Sequence, residues 1–310
     1  IQYAISMQKD GNMKLLFIIN PVSGGKEKKD WENKIREYFK NSPHNMEFFL
    51  LNGKDDQSSI KHHIDTVKPD RVVGVGGDGT IKMIAEIVCG KNLPLGIIPA
   101  GSANGMAKEL GIPVDVDKAL EIAVNGEVKA IDYIKINERE SCIHLSDIGL
   151  NAMLVKSFEK TKGRGMWGYG QAVFKMLWKK QKMSLTIKTD TETIKRHAYM
   201  VVIAASKYGT GAIINPDGKI ADGKFEAVVV RKLNMLELFK ILVSHKPFDP
   251  KRVEVFSTKT LEIISKHRAY FQIDGEYRGK INNIKAEIVP ASIEMMVPRE
   301  VQKDKAEAVA

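Results

Sequence analysis

From Arg71 the chain reads RVVGVGGDGTIKMI. A β-branched apolar run (Val72, Val73, Val75) breaks into Gly76-Gly77-Asp78-Gly79-Thr80, and apolar residues then return at helical spacing through Ile81, Ile84, Ala85 and Val88. That order predicts a strand, a tight glycine turn and a helix start. A helix start offers unpaired N–H groups and partial positive charge, and glycines let an anion approach with no Cβ in the way. The natural guest is a phosphate.

Asp78 adds a second requirement. A carboxylate beside a phosphate-binding backbone repels its guest unless a cation stands between them, so the turn implies Mg²⁺ or a proton to be moved. Two better-known glycine motifs fit poorly. Gly74, Gly76 and Gly79 satisfy GxGxxG, yet the next strand ends in Pro99-Ala100 where a dinucleotide site needs an acid. Walker A fails because Thr80-Ile81 stands where Lys-Ser/Thr is required.

The same grammar recurs twice. Lys14 to Asn20 (KLLFIIN) is a short apolar strand running into Pro21-Val22-Ser23-Gly24-Gly25-Lys26, with a polar helix expected from Glu27 to Lys40. Asn20, Ser23 and Lys26 are candidate donors to a nucleotide. Leu95 to Ile98 opens onto Pro99-Ala100-Gly101-Ser102-Ala103-Asn104-Gly105, and a helix follows at Met106. With a strand at Met46 to Leu51 and helices at Asp55 to Val67 and Val116 to Val124, the pattern specifies a parallel sheet with right-handed crossovers. Its loops gather at the strand C-termini, so three glycine loops make one anion site.

Near Ala130 the pattern changes. Short strand-like runs follow one another: Lys129–Ile136, Ser141–Asp147, Met183–Lys188, His197–Ser206, Phe225–Arg231, Val253–Ser257, Leu261–Ser265, Tyr270–Ile273, Lys285–Val289 and Ile293–Val297. Turn signals separate them, among them Asn137-Glu138, Pro216-Asp217-Gly218, Asp222-Gly223, Asp274-Gly275 and Asn282-Asn283. Helical insertions are expected at Arg164–Lys180 and Met235–Val243. The chain of 310 residues thus reads as two domains, α/β over residues 13–130 and all-β over 131–298, with extensions at 1–12 and 299–310. Met7 or Met13 reads as the natural start.

Net charge is +10, which favours anionic partners: nucleotides, nucleic acid or an acidic membrane surface. Nucleic acid is disfavoured, because the basic residues are dispersed and no RNP-like or zinc-finger motif occurs. Only two cysteines, Cys89 and Cys142, are present, which predicts a reduced cytoplasmic protein. No run approaches the roughly 20 apolar residues of a membrane span, and the N-terminus lacks a signal-peptide core. No HExxH, CxxC-type metal pattern or GxSxG elbow is found.

Three features of the second half carry candidate chemistry. Asn215 to Phe225 sets the carboxylates of Asp217 and Asp222 in glycine turns with carbonyls nearby, a combination suited to Mg²⁺. Phe271-Gln272-Ile273-Asp274-Gly275-Glu276 is a strand ending in two acids around a glycine, although Asp-Gly is also the commonest hairpin signal. Lys160 to Lys182 interleaves Trp167, Tyr169 and Trp178 with Lys and Arg, which suits a membrane interface or a helix burying an aromatic stripe.

The ordered motifs Asn20-Pro21-Val22-Ser23-Gly24-Gly25, Gly76-Gly77-Asp78-Gly79-Thr80, Gly96 to Asn104, Asp222-Gly223 and Asp274-Gly275-Glu276 resemble the diacylglycerol kinase catalytic-domain family. That family includes bacterial lipid kinases, sphingosine kinases and ceramide kinases. The resemblance implies a phosphofructokinase/NAD kinase-like α/β domain, a β-sandwich domain and ATP in the cleft between them. It places ATP on Asn20, Pro21, Val22, Ser23, Gly24, Gly76, Gly77, Asp78, Gly79, Thr80 and Ser102. It makes Asp78 the acid acting with phosphates and metal, and Glu276 the general base. It implies a structural Mg²⁺ held by the Asp222 carboxylate and the carbonyls of Lys219 and Lys224, with Asp132 in its water network. The expected partner is a lipid substrate at a membrane surface, reached by a cytoplasmic protein peripheral to the membrane; a homodimer stays open.

The chain departs from this pattern in places. Lys82-Met83 stands where many members have Asn-Glu, and no Thr appears near Leu51-Asn52 as in bacterial members. Gly101 to Met106 is closer to sphingoid-base kinases, yet Met153 replaces the carboxylate that meets a sphingoid amine. A lipid kinase acting on a diacylglycerol or sphingoid-type hydroxyl is therefore expected. A NAD kinase and a non-catalytic nucleotide- or lipid-binding regulator stand as alternatives.

Overall fold

The apolar runs of the first part become parallel strands: β1 (Lys14–Ile19), β2 (Asn45–Leu50), β3 (Arg71–Gly76) and β4 (Leu95–Pro99), in the order β2-β1-β3-β4. β3 and β4 are buried almost throughout and β1 from Leu15 onward, as strands covered on both faces must be. The cover comes from α1 (Trp31–Tyr38), α2 (Asp56–Val67), α3 (Asp78–Val88), α4 (Gly105–Glu109) and α5 (Val116–Asn125). α3 turns Ile81, Ile84, Ala85 and Val88 inward, the helical spacing seen in the sequence. α5 packs on β4 so closely that a Cβ on Gly96 would lie 2.7 Å from that of Ala123.

The computed structural model describes residues 11–23, 30–159, 182–205, 208–209, 212–213, 221–233 and 251–299. Outside them lie residues 1–10 and 300–310 of the expected extensions, Gly24 to Lys26, the aromatic and basic stretch at 160–181, the Pro216-Asp217-Gly218 turn with Lys219, and the expected helix at Met235–Val243. The chain forms two compact units, residues 1–129 with 294–310 and residues 130–293. The sequence reading carries the β-rich domain on to residue 298. The first unit instead takes the chain back from Glu294, and there Met295 pairs in parallel with Leu95 of β4.

The second unit is a β-sandwich. β5 (Glu127–Ile136), β6 (Glu140–Cys142) and β7 (Leu145–Gly149) lead into α6 (Leu150–Glu159). β8 (Met183–Thr189), β9 (Thr193–Ala198) and β10 (Met200–Ala204) follow, then the short antiparallel ribbon β11 (Tyr208–Gly209) and β12 (Ala212–Ile213). β13 (Phe225–Val230), β14 (Val253–Thr258), β15 (Thr260–Ile273) and β16 (Glu276–Val297) complete it. Strands run β14-β13-β10-β7-β15-β16, with β8 pairing β15 and β9, and β5 pairing β16 and β6. β15 pairs β8 through Leu261–Ser265 and β7 through Phe271–Ile273, with a register shift between Ile264 and Ala269, as a corner strand of a sandwich does.

Period-2 alternation sorts β10 onto two cores. Val201 and Ile203 join Ile148, Phe225 and Phe271 in one, whereas Met200, Val202 and Ala204 join Leu145, Leu150 and Val228 in the other. Several expected boundaries move. Ser141–Asp147 splits into β6 and β7 because a distant carboxylate captures the backbone between them, and His197–Ser206 breaks at Tyr199, whose N–H leaves the strand for Val230 O. Asn282-Asn283 is no turn but the middle of β16, where Asn283 pairs Ile264.

Candidate active site

The C-terminal ends of β1, β3 and β4 are neighbours, so the three glycine loops share one sheet edge. Asn20 joins the first two. Its N–H donates to Val75 O (2.9 Å) and its Nδ2 to Thr80 Oγ1 (3.0 Å), while its Oδ1 accepts from Val22 N (3.2 Å). Val22 stands 80% exposed at the loop tip. The second and third loops meet backbone to backbone: Ala100 N donates to Gly76 O at 2.9 Å, and a Cβ on Gly101 would fall 2.5 Å from Gly77 Cα. Only glycine allows that approach. A Cβ on Gly76 would strike Thr80 at 2.6 Å, whereas one on Gly79 would meet open space.

Asp78 is the first residue of α3, and its Oδ1 accepts from Met106 N (3.1 Å), fastening the start of α4 to the start of α3. Oδ2 has no hydrogen-bond partner among the described residues. In the third loop Asn104 grips Gly101 through both ends of its amide, Oδ1 from Gly101 N (2.8 Å) and Nδ2 to Gly101 O (2.9 Å), and leaves Ser102 exposed. The edge is thus a connected surface of glycine backbone with one carboxylate at its centre. Asn20, Pro21, Val22, Ser23, Gly76, Gly77, Asp78, Gly79, Thr80 and Ser102 all lie on it. Lys82 is buried on α3.

The expected acids of the second unit lie on two turns. Asp132 on β5 is buried, and both its oxygens are occupied: Oδ2 by Gly223 N (2.7 Å) and Oδ1 by Ala291 N (2.8 Å). It therefore moors the Asp222-Gly223 turn to the bend at Ala291, whose φ is 48°. Asp222 is exposed and uses Oδ1 on Lys224 N (3.1 Å). Among the described residues no three His, Cys, Asp or Glu stand together. A Mg²⁺ at this turn would have one carboxylate plus carbonyls and water, which suits the ion's habit.

Glu276 opens β16 after a two-residue turn in which Asp274 (φ 48°) and Gly275 (φ 86°) are both left-handed, the type I′ geometry that Asp-Gly favours. Glu276 Oε2 pairs with Arg278 Nη2 at 2.7 Å, and Arg278 Nε also donates to Glu140. Burial works against the Arg278 charge, but its bonds to Glu140 and Glu276 outweigh that and hold it above its usual range. The Asp274 carboxylate accepts from the amides of Ile143, His144 and Leu145 at 3.0 to 3.2 Å. Lys156 Nζ lies 4.9 and 5.0 Å from the rings of Tyr270 and Tyr277, and Lys280 Nζ 4.5 Å from Tyr270.

Sequence reasoning missed Asp147 and its partner Gln272, both fully buried. Asp147 accepts from Asn151 Nδ2 (2.6 Å), Ala152 N (2.8 Å) and Gln272 Nε2. Burial pushes its carboxyl up to about 6, against the pull of these three neutral donors. The signal was present only as an acid at the end of a strand followed by Asn four residues on.

A model of the diacylglycerol kinase catalytic domain matches residues 14–136, and one of the YegS C-terminal NAD kinase beta sandwich-like domain matches residues 147–297. Relatives named diacylglycerol kinase include one from Staphylococcus saprophyticus, 27% identical over 224 residues, covering 68% of this chain and 72% of its own. Another, from Staphylococcus aureus, is 27% identical over 223 residues, covering 68% and 70%. A solved diacylglycerol kinase from Bacillus anthracis shares the fold at TM-score 0.70 and 19% identity, covering 92% of this chain and 97% of that one. A second solved chain from that organism matches at TM-score 0.75 and 22% identity, covering 93% and 99%. With both domain models matched in order and the glycine loops in place, the chain belongs to the diacylglycerol kinase catalytic-domain family, a family of lipid kinases.

Proposed function

We propose that the protein transfers the γ-phosphate of MgATP to the hydroxyl of a lipid, with diacylglycerol the acceptor that the names of its relatives favour. The observation carrying this reading is the contiguous glycine edge of β1, β3 and β4, with the Asp78 carboxylate fixed in its middle. Backbone N–H groups there suit a triphosphate, and Asp78 suits the Mg²⁺ that arrives with it. Asn20 to Gly24 and Ser102 flank the nucleotide. The lipid oxygen forms its bond to Pγ as the bond from Pγ to the bridging oxygen breaks and ADP leaves; Glu276 takes the hydroxyl proton. Asp222, with the carbonyls of Lys219 and Lys224, would hold a Mg²⁺ that braces its turn, and Asp132 holds that turn from behind. The Lys156, Lys280, Tyr270 and Tyr277 cluster suits peripheral contact with anionic headgroups.

The test is incubation with γ-labelled ATP and a total lipid extract, followed by identification of labelled products, with NAD as a separate acceptor. Label in phosphatidic acid is expected. Asp78→Ala and Glu276→Ala should each lower turnover by about 100-fold or more. Label in NAD and in no lipid, or unchanged turnover in both variants, would refute the reading.

A further inference from the structure

We infer that Asp147 is a positioning residue for Glu276, acting through the side-chain amide of Gln272. The inference rests on the reading of Glu276 as the base. Asp147 on β7 and Gln272 on β15 are direct cross-strand partners, and neither has any exposed surface. Gln272 Nε2 donates to the Asp147 carboxylate, and Gln272 Oε1 accepts from Gly275 N at 2.7 Å. Gly275 is the second turn residue and immediately precedes Glu276.

The chemistry of the carboxylate decides the direction of this chain. An ionised carboxylate only accepts hydrogen bonds, so the Gln272 amide has one allowed orientation. A flipped amide would set oxygen against the carboxylate and NH₂ against the Gly275 N–H. Asp147 therefore keeps an acceptor pointed at the turn. Asp274 grips the same turn from its other residue through the amides of Ile143, His144 and Leu145. A two-residue turn held at both positions presents the following side chain in one direction. A helix cap alone would not call for an acid here, since Asn or Ser caps as well without burying a charge.

The same logic supplies a test by exchange. In Asp147→Asn, two amides face each other and the polarity toward Gly275 is no longer fixed. In Gln272→Glu, two carboxylates collide. With Asp147→Asn and Gln272→Glu combined, the amide introduced on β7 donates to the carboxylate introduced on β15, whose other oxygen accepts from Gly275. With γ-labelled ATP and total-lipid-extract micelles, each single variant should lose about 10-fold or more in kcat, with KM for ATP unchanged, because a misaimed base harms the step and not nucleotide binding. The double variant should return to within about threefold of wild type. Amide hydrogen exchange at Gly275 should accelerate in both single variants and slow again in the double.

Gln272→Met, which removes both bonds without adding a charge, should reproduce the loss of kcat and the faster exchange should Asp147→Asn fail to fold. Unchanged Gly275 exchange in the single variants, faster exchange with unchanged kcat, or a double variant that restores neither would overturn the inference. Wild-type turnover in Glu276→Ala would instead remove the base, leaving Gly275 exchange to report on the link by itself.

Discussion

Single residues hold the two halves of the chemistry by different means. In the glycine edge the decisive contact is the absence of a side chain: a Cβ at Gly101 would sit 2.5 Å from the α-carbon of Gly77. Gly101→Ala must part the second and third loops, and a rise of about tenfold in KM for ATP, roughly 1.4 kcal/mol, is the expected outcome in steady-state kinetics. Asp147 yields a prediction about stability. Its folded carboxyl titrates near 6 instead of 3.8, so between those values the folded protein holds a proton that the unfolded chain has released. Stability from this group is therefore full below about pH 4 and declines as pH rises through 6, by about 3 kcal/mol. Denaturant unfolding of wild type and Asp147→Asn from pH 4 to pH 7 should show the difference moving by about that amount in favour of the variant.

At the scale of elements, local pattern and long-range capture divide the work. Val72 to Val75 followed by three glycines and a helical spacing announces β3 and α3 without reference to any other residue. Asp274-Gly275 likewise announces a type I′ hairpin, and φ values of 48° and 86° are what that dipeptide favours. Other boundaries are not local. β6 and β7 separate because the Asp274 carboxylate, about 130 residues away, accepts the amides of residues 143 to 145. α6 begins directly after Gly149, so no Ser, Thr, Asp or Asn stands in the capping position before Leu150, and its cap comes from Asp147, which accepts from Ala152 N. Asp132 reads as one more polar residue in an alternating strand; only the fold brings Gly223 and Ala291 onto its two oxygens. Asp132→Ala would leave both amides without their acceptor. A loss of about 3 kcal/mol in chemical unfolding is expected, together with loss of any stabilisation by added Mg²⁺.

For the whole molecule, the order of residues conveys the chemistries better than their supports. The glycine loops are legible because a phosphate site demands glycine backbone at a helix start, and Asp78 and Asp222 stand out as acids in glycine turns; the base role proposed for Glu276 comes from the family resemblance. Of the buried partners that fix those turns, Asp132 is reached only through the family resemblance, and Asp147 and Gln272 are invisible beforehand because their role exists only across the pairing of β7 with β15. The glycine loops lie in the first compact unit and the acid turns of Asp222 and Glu276 in the second. Among the described residues no helix is long and apolar enough to cross a membrane. The proposed contact with anionic headgroups rests on Lys156 and Lys280 beside Tyr270 and Tyr277. Vesicle sedimentation should show binding that rises with anionic lipid and weakens in Lys156→Ala with Lys280→Ala, each cation being worth about 1 kcal/mol at such a surface.

On the function proposed above, a triphosphate lies on the glycine edge of β1, β3 and β4. A crystal structure with Mg²⁺ and a non-hydrolysable ATP analogue tests it most directly. The β- and γ-phosphates should accept hydrogen bonds from backbone N–H groups between Gly76 and Thr80, with the cation beside Asp78. A nucleotide bound elsewhere while that edge stays free of phosphate would contradict the account.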